Sequence, residues 1–154
     1  MPEPTVAHRL TPGAQAGFVD VARAAGLDPE LARRAADAVA LFERPTARAA
    51  WQAPILAAAR RNRVAGITLG TDVYFDHPGR LRDWPLIAHE VAHVVQFLER
   101  GIPWFLLRYG AGYLAGRARG LPDREAYLNL PDEVEARRVE TAARNLPWPS
   151  KITG

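Results

Sequence analysis

Residues 86–97 read Leu86-Ile87-Ala88-His89-Glu90-Val91-Ala92-His93-Val94-Val95-Gln96-Phe97. Asp83 stands ahead of them as a cap, with Trp84 and Pro85 in the first turn, and Gly101 follows as a stop signal near Glu99. That is a helix with a start and an end, and its apolar positions go nearly all the way round, so it belongs inside the molecule. His89 and His93 stand four residues apart. On a helix they leave one face, one turn apart, and two imidazoles so placed can reach one metal ion. Glu90 points about 100° further round the helix, where it can reach a water on the metal rather than the metal. A carboxylate there can take the proton of that water and return it to a leaving amine. A buried His, Glu and His need partners, and a metal is the simplest partner for all three.

A catalytic zinc site has three protein ligands and an open fourth position. The other histidines are His8, in a proline-containing lead-in at residues 1–12, and His77, a candidate ligand or transition-state donor. Carboxylates on the last helix are better placed. Pro131 opens that helix, which is expected to run to about Arg144 and offers Asp132, Glu133 and Glu135. Glu133 shares a face with the small Ala136, which would let this helix approach the histidine helix, so Glu133 is the expected ligand and Glu135 the second choice. Acids at a helix start also have a purely structural use, in favouring its positive end.

Upstream of the histidines the periodicity changes. Residues 65–69 and 73–76 read as two strands of a hairpin about Gly70-Thr71-Asp72, broken by His77-Pro78-Gly79. Residues 14–25 form a short helix ending at Gly26. Asp28 caps a second, with Pro29 first and a stripe of Leu31, Ala35, Ala38, Val39 and Phe42 ending at Pro45. Thr46 can cap a third towards Ala59, which Pro54 would kink or split. Downstream, Pro103 starts an apolar helix to about Arg117, before a polar loop over 118–131. Its Trp104, Phe105, Leu107, Tyr109, Tyr113 and Leu114 read as core, or as a partner or membrane-surface patch if one side stays exposed.

The 154 residues, 48% hydrophobic and 24% charged, suit one globular domain. There is no cysteine, so disulfides and thiolate metal sites are excluded and a transition metal must use His, Asp or Glu. The pI is about 9.8, yet the arginines are scattered among acids and Lys151 is the one lysine. That is a mixed-charge surface rather than a nucleic-acid patch. Met1-Pro-Glu-Pro-Thr-Val lacks a signal-peptide pattern. The most apolar segment is too short and interrupted to span a bilayer.

His89-Glu90-Val-Ala-His93, followed on a later helix by Glu133-Val-Glu135-Ala136, is similar to the gluzincin pattern of zinc metallopeptidases. More closely, Ile67-Thr-Leu-Gly70 ahead of Val73-Tyr-Phe75, then Leu86 to Gln96, resembles the bacterial domain of proteins linked to extracellular contractile injection systems. The stretch from Tyr127 to Ala136 resembles the downstream box of such domains, and the likeness covers about residues 60–142. It implies a zinc ion held by His89, His93 and Glu133, with Glu90 as general base. It also implies a strand of the small sheet bordering the cleft, able to pair with an extended peptide. The chain departs from the pattern where many gluzincins carry an Asp after the ligand Glu, because Arg137 and Arg138 stand there. Support for a zinc histidine must come from elsewhere, with Asn129 and Asp132 as candidates. Tyr127, Tyr113 and His77 are candidate oxyanion donors.

The expectation is therefore a mostly α, α+β zincin-like fold with a small hairpin or sheet beside the metal helix. It forms a single domain over 1–154, with residues 1–58 as a helical N-terminal part and 60–144 as the metal-binding core. Residues 1–58 would cover the cleft or serve as a docking segment. The expected activity is zinc-dependent peptide hydrolysis on a peptide or protein substrate. The alternative is a non-catalytic zinc module binding a protein partner in a secretion or toxin system. The expected location is the cytoplasm, or outside the cell by a non-classical route.

Overall fold

In the computed structural model, which describes residues 6–61, 63–107 and 130–154, the elements run in a fixed order. They are α1 (Pro12–Ala24), α2 (Pro29–Ala38), β1 (Ala40–Phe42), α3 (Gln52–Arg61), β2 (Gly66–Leu69), β3 (Asp72–Phe75), a 3₁₀ turn (Pro78–Arg82), α4 (Trp84–Leu107) and α5 (Pro131–Asn145). This is an α+β fold, mostly α, with a three-stranded sheet in the order β1-β3-β2.

Local chemistry sets most of the boundaries. Thr11 and Asp28 cap α1 and α2, their side-chain oxygens accepting from Ala14 N and from Glu30 N and Leu31 N. Helix α1 ends in a Schellman arrangement. Leu27 N donates to Ala22 O, Gly26 N donates to Arg23 O, and Gly26 takes φ 89°. Asp83 Oδ1 accepts the Leu86 N–H at 3.2 Å and opens α4. At Gly101 (φ 77°) the helical course is interrupted before Pro103. The β2–β3 hairpin turns on Gly70-Thr71 with φ 71° at Gly70 alone, the signature of a type II′ turn.

Three expectations need correction. The second helix stops at Ala38, and Ala40–Phe42 is a strand pairing parallel with β3, Leu41 opposite Val73. All three of its residues are buried, and a short apolar run serves a strand buried on both faces as well as it serves a helix. The third helix begins at Gln52 rather than near Thr46, which puts Pro54 in its first turn, where a proline needs no kink. The lead-in is tied down. His8 bridges to Leu41 and Leu10 to Thr153, and His8 Nε2 lies 3.0 Å from Glu43.

Helix α4 carries Trp84, Ile87, Ala88, Val91, Ala92, Val94 and Val95 into one continuous core. Phe18, Val21, Ala35, Val39, Leu41, Val73, Phe75, Ala136 and Val139 share that core. Each large side chain buried there contributes roughly 1.5–3 kcal/mol. The opposite sheet face builds a second cluster from Ala40, Phe42, Leu69 and Tyr74 under Leu56 of α3. Helix α4 thus packs against α2, against β2 and most extensively against α5.

Candidate metal centre

The packing of α4 on α5 decides the site. Ala136 is fully buried at that contact, and the missing bulk lets Glu133, one turn earlier, reach the histidines. Its carboxylate lies between the two rings. Oε2 is 3.1 Å from His89 Nε2 and Oε1 is 2.8 Å from His93 Nε2. The rings lie 5.1 Å apart at 77° to one another, so they converge rather than stack. One ligand atom from each of His89, His93 and Glu133 falls within 4.8 Å of the others, as metal ligation requires. His93 and Glu133 are buried, and the His89 side chain keeps 12% exposure.

Hydrogen-bond arithmetic shows that a cation fits. Gln96 Nε2 faces two acceptors, the Asp132 carbonyl at 3.1 Å and Glu135 Oε1 at 2.9 Å. That fixes the orientation of the amide and turns Gln96 Oε1 towards His93 Nδ1, 2.7 Å away. An oxygen can only accept, so Nδ1 carries the proton. The neutral ring then presents a lone pair at Nε2, aimed at a carboxylate oxygen 2.8 Å away. A second proton or a metal cation must lie between them. The His89 ring faces the same carboxylate through Nε2, while its buried Nδ1 has no hydrogen-bond partner among the described residues. Glu140, two turns beyond Glu133, brings Oε2 to 3.9 Å from that Nδ1.

The side chains alone hold a strong electrostatic clamp. Burial pushes the Glu133 carboxyl up, but the charge of His93 and hydrogen bonds from both imidazoles outweigh it. They hold the carboxyl far below the ordinary range. Burial pulls His89 down, but its bond to Glu133 and the charges of Glu90, Glu133 and Glu140 leave its pKa raised.

Glu90 leaves α4 on the side that packs against β2. It is 3% exposed. Thr68 Oγ1 lies 2.7 Å from its Oε2 and 3.0 Å from its backbone oxygen. A Cβ at position 66 would stand 3.2 Å from Glu90 Oε1 and 3.1 Å from the Phe75 ring, so the absence of a side chain at Gly66 makes room for the carboxylate.

The remaining candidates go elsewhere. Glu135 bonds Gln96 and does not join the cluster. His77 caps the 3₁₀ turn, Nδ1 accepting from Gly79 N at 3.1 Å, and over half its side chain is exposed. His8 sits at the edge of β1. Asp132 supports His93 at one remove, through the carbonyl that Gln96 bonds, while its carboxylate meets Arg100 at 3.2 Å. Asn129, Tyr113 and Tyr127 lie outside the described residues, as do the expected helix beyond Leu107 and most of the 118–131 loop. Gln96, Thr68, Gly66 and Glu140 are site residues that the sequence reading did not single out. Gln96 was visible at one turn from His93, and Thr68 as the polar member of an apolar strand.

No helix among the described residues is long and apolar enough to cross a membrane. The family model of the eCIS core domain matches residues 52–101. That segment holds α3, the hairpin and the histidine helix as far as Gly101, but stops before Glu133. The match links the segment to extracellular contractile injection systems. No curated protein and no solved structure matches the chain.

Proposed function

We propose that this chain is a zinc-dependent peptide hydrolase domain associated with a contractile injection system, with His89, His93 and Glu133 holding the ion and Glu90 as general base. The observation that carries the reading is the Glu133 carboxylate, bonded through a different oxygen to each Nε2. Three nitrogen and oxygen ligands without sulfur suit zinc and leave a position open. When bound, such an ion supplies Lewis acidity and lowers the pKa of a water. Glu90, on the adjoining face of the same helix, would accept that proton and deliver it to the leaving nitrogen. Thr68 holds the Glu90 carboxylate at one oxygen, so the other can work as the base. Among the described residues β2 pairs with β3 alone, and an extended peptide would add to its outer edge.

A second reading is a non-catalytic metal-stabilised module that binds a protein partner. Two observations favour it. The Glu90 carboxylate is almost fully enclosed and already hydrogen-bonded. In addition, a groove of about 630 Å³, lined by Arg44, Leu56, Arg60, Arg63, Ile67 and Tyr74, lies over the side of the sheet that carries α3. Elemental analysis of the purified protein beside its His93→Ala variant tests the metal. Glu90→Gln separates the readings. In a hydrolase it keeps the zinc and abolishes cleavage of a peptide library, and a parent protein that binds zinc but cleaves nothing leaves the module reading standing.

A further inference from the structure

We infer that Gln96 is a positioning residue of the metal centre, fixing the tautomer of His93 and the seat of Glu133 through a single amide. This rests on the metal-site reading above, and not on hydrolysis. Gln96 is 2% exposed, and its amide makes three contacts that use its oxygen and both of its hydrogens. Oε1 accepts from His93 Nδ1 at 2.7 Å, and the two Nε2 hydrogens go to the Asp132 carbonyl at 3.1 Å and Glu135 Oε1 at 2.9 Å. The first contact leaves Nε2 of His93 as the ligating atom and holds the ring plane. The other two grip α5 on either side of Glu133 in the chain, at its first turn. One amide thus ties the His93 ring to the start of α5.

A glutamate at position 96 could not do both jobs. It could accept from His93, but it has no hydrogen for the Asp132 carbonyl and would confront the Glu135 carboxylate. An apolar side chain of the same length would release the ring and remove both bonds to α5. Partners of this kind change metal affinity by 10–100-fold in other metal sites, a range that sets the expected scale here at about 10–100-fold.

The test uses the whole chain and Zn²⁺ itself. Zinc affinity is measured by competition with a chromogenic chelator for the parent, Gln96→Met, Gln96→Glu, and Gln96→Glu combined with Glu135→Gln. The last pair reverses one bond, so that the amide at position 135 donates to the carboxylate at position 96. Nitrogen-15 NMR of the imidazoles reports which nitrogen of His93 carries hydrogen. The expected result is an Nδ1–H on His93 in the zinc-loaded parent, a 10–100-fold loss in both single variants, and recovery of a large part of it in the double variant. Two outcomes overturn the inference while leaving the metal site in place: His93 bound to zinc through Nδ1, or Gln96→Met binding within about twofold of the parent. If Gln96→Met does not fold, the tautomer in the parent decides. A parent that binds no zinc removes the metal-site reading and this inference with it.

Discussion

At the scale of single residues, the site is governed by who can donate a hydrogen. Glu133 is acceptor-only, and both imidazoles address it, so Glu133→Gln replaces one of two acceptors with a donor facing a ring nitrogen. We expect zinc affinity to fall by about 100-fold or more, read by the same chelator competition, and a retained affinity would mean that the ion uses other ligands. The pH dependence follows from the two shifts. Glu133 is lowered from 4.5, so in the metal-free protein its stabilisation is complete above that value and lost only in stronger acid. His89 is raised from 6.5, so its stabilisation is complete below that value and lost as pH rises through the folded pKa. The metal-free site is therefore most stabilising between those values, and urea midpoints should be higher at about pH 5.5 than at about pH 8.5. Saturating zinc should reverse the order, because ligation needs both rings free of the extra proton. A metal-free midpoint that stays level across that range would contradict the clamp. Much of this was legible beforehand. The i, i+4 histidines fix their own geometry, and Glu133 followed from the small Ala136 beside it. Gln96 and Thr68 escaped because their roles depend on which way an amide or hydroxyl faces, which spacing does not encode.

At the scale of elements, the sequence is readable where one period or one cap decides the outcome, as in α1, the hairpin and the start of α4. It misleads at Val39-Ala-Leu-Phe42, where an unbroken apolar run carries no period at all. The choice of strand over helix there is made by β3, thirty-odd positions later, whose Val73 and Tyr74 offer the pairing edge. The contact between β2 and α4 carries its own prediction. Ala at position 66 would bring its Cβ to 3.1 Å of the buried Phe75 ring and 3.2 Å of Glu90 Oε1. Phe75 is 1% exposed and has nowhere to retreat, so Gly66→Ala should cost roughly 1–3 kcal/mol in chemical denaturation. Thr68→Val, which removes the hydroxyl and keeps the shape, should cost a similar amount, about 1–3 kcal/mol, by leaving a buried carboxylate short of a donor. An unchanged stability in both variants would show that Glu90 swings freely and is not seated by the strand.

At the scale of the whole molecule, the question is whether residues 60–144 form a unit that the first 58 merely cover. The packing argues otherwise. Phe18, Val21, Ala35, Val39 and Leu41 occupy the same core as Ile87, Val91, Val95, Ala136 and Val139. Strand β1 forms one edge of the three-stranded sheet, and Leu10 pairs with Thr153 near the other end of the chain. Removing residues 1–58 strips α1 and α2 from α4 and α5 and exposes one edge of β3. Two strands with one packed face are marginal without a third, and a core that loses Phe18, Val21, Val39 and Leu41 draws on a stability of only about 5–15 kcal/mol in typical domains. A fragment of residues 60–144 should therefore show helical far-ultraviolet circular dichroism at most, with collapsed amide NMR dispersion and no cooperative melt. Its zinc affinity should drop with the fold, since Glu133 meets the histidines only when α5 is docked. The full chain should unfold in one transition, its midpoint rising with added zinc. A 60–144 fragment with dispersed amide signals and parent-like zinc binding would instead establish that the first two helices are an attachment to a self-sufficient metal domain.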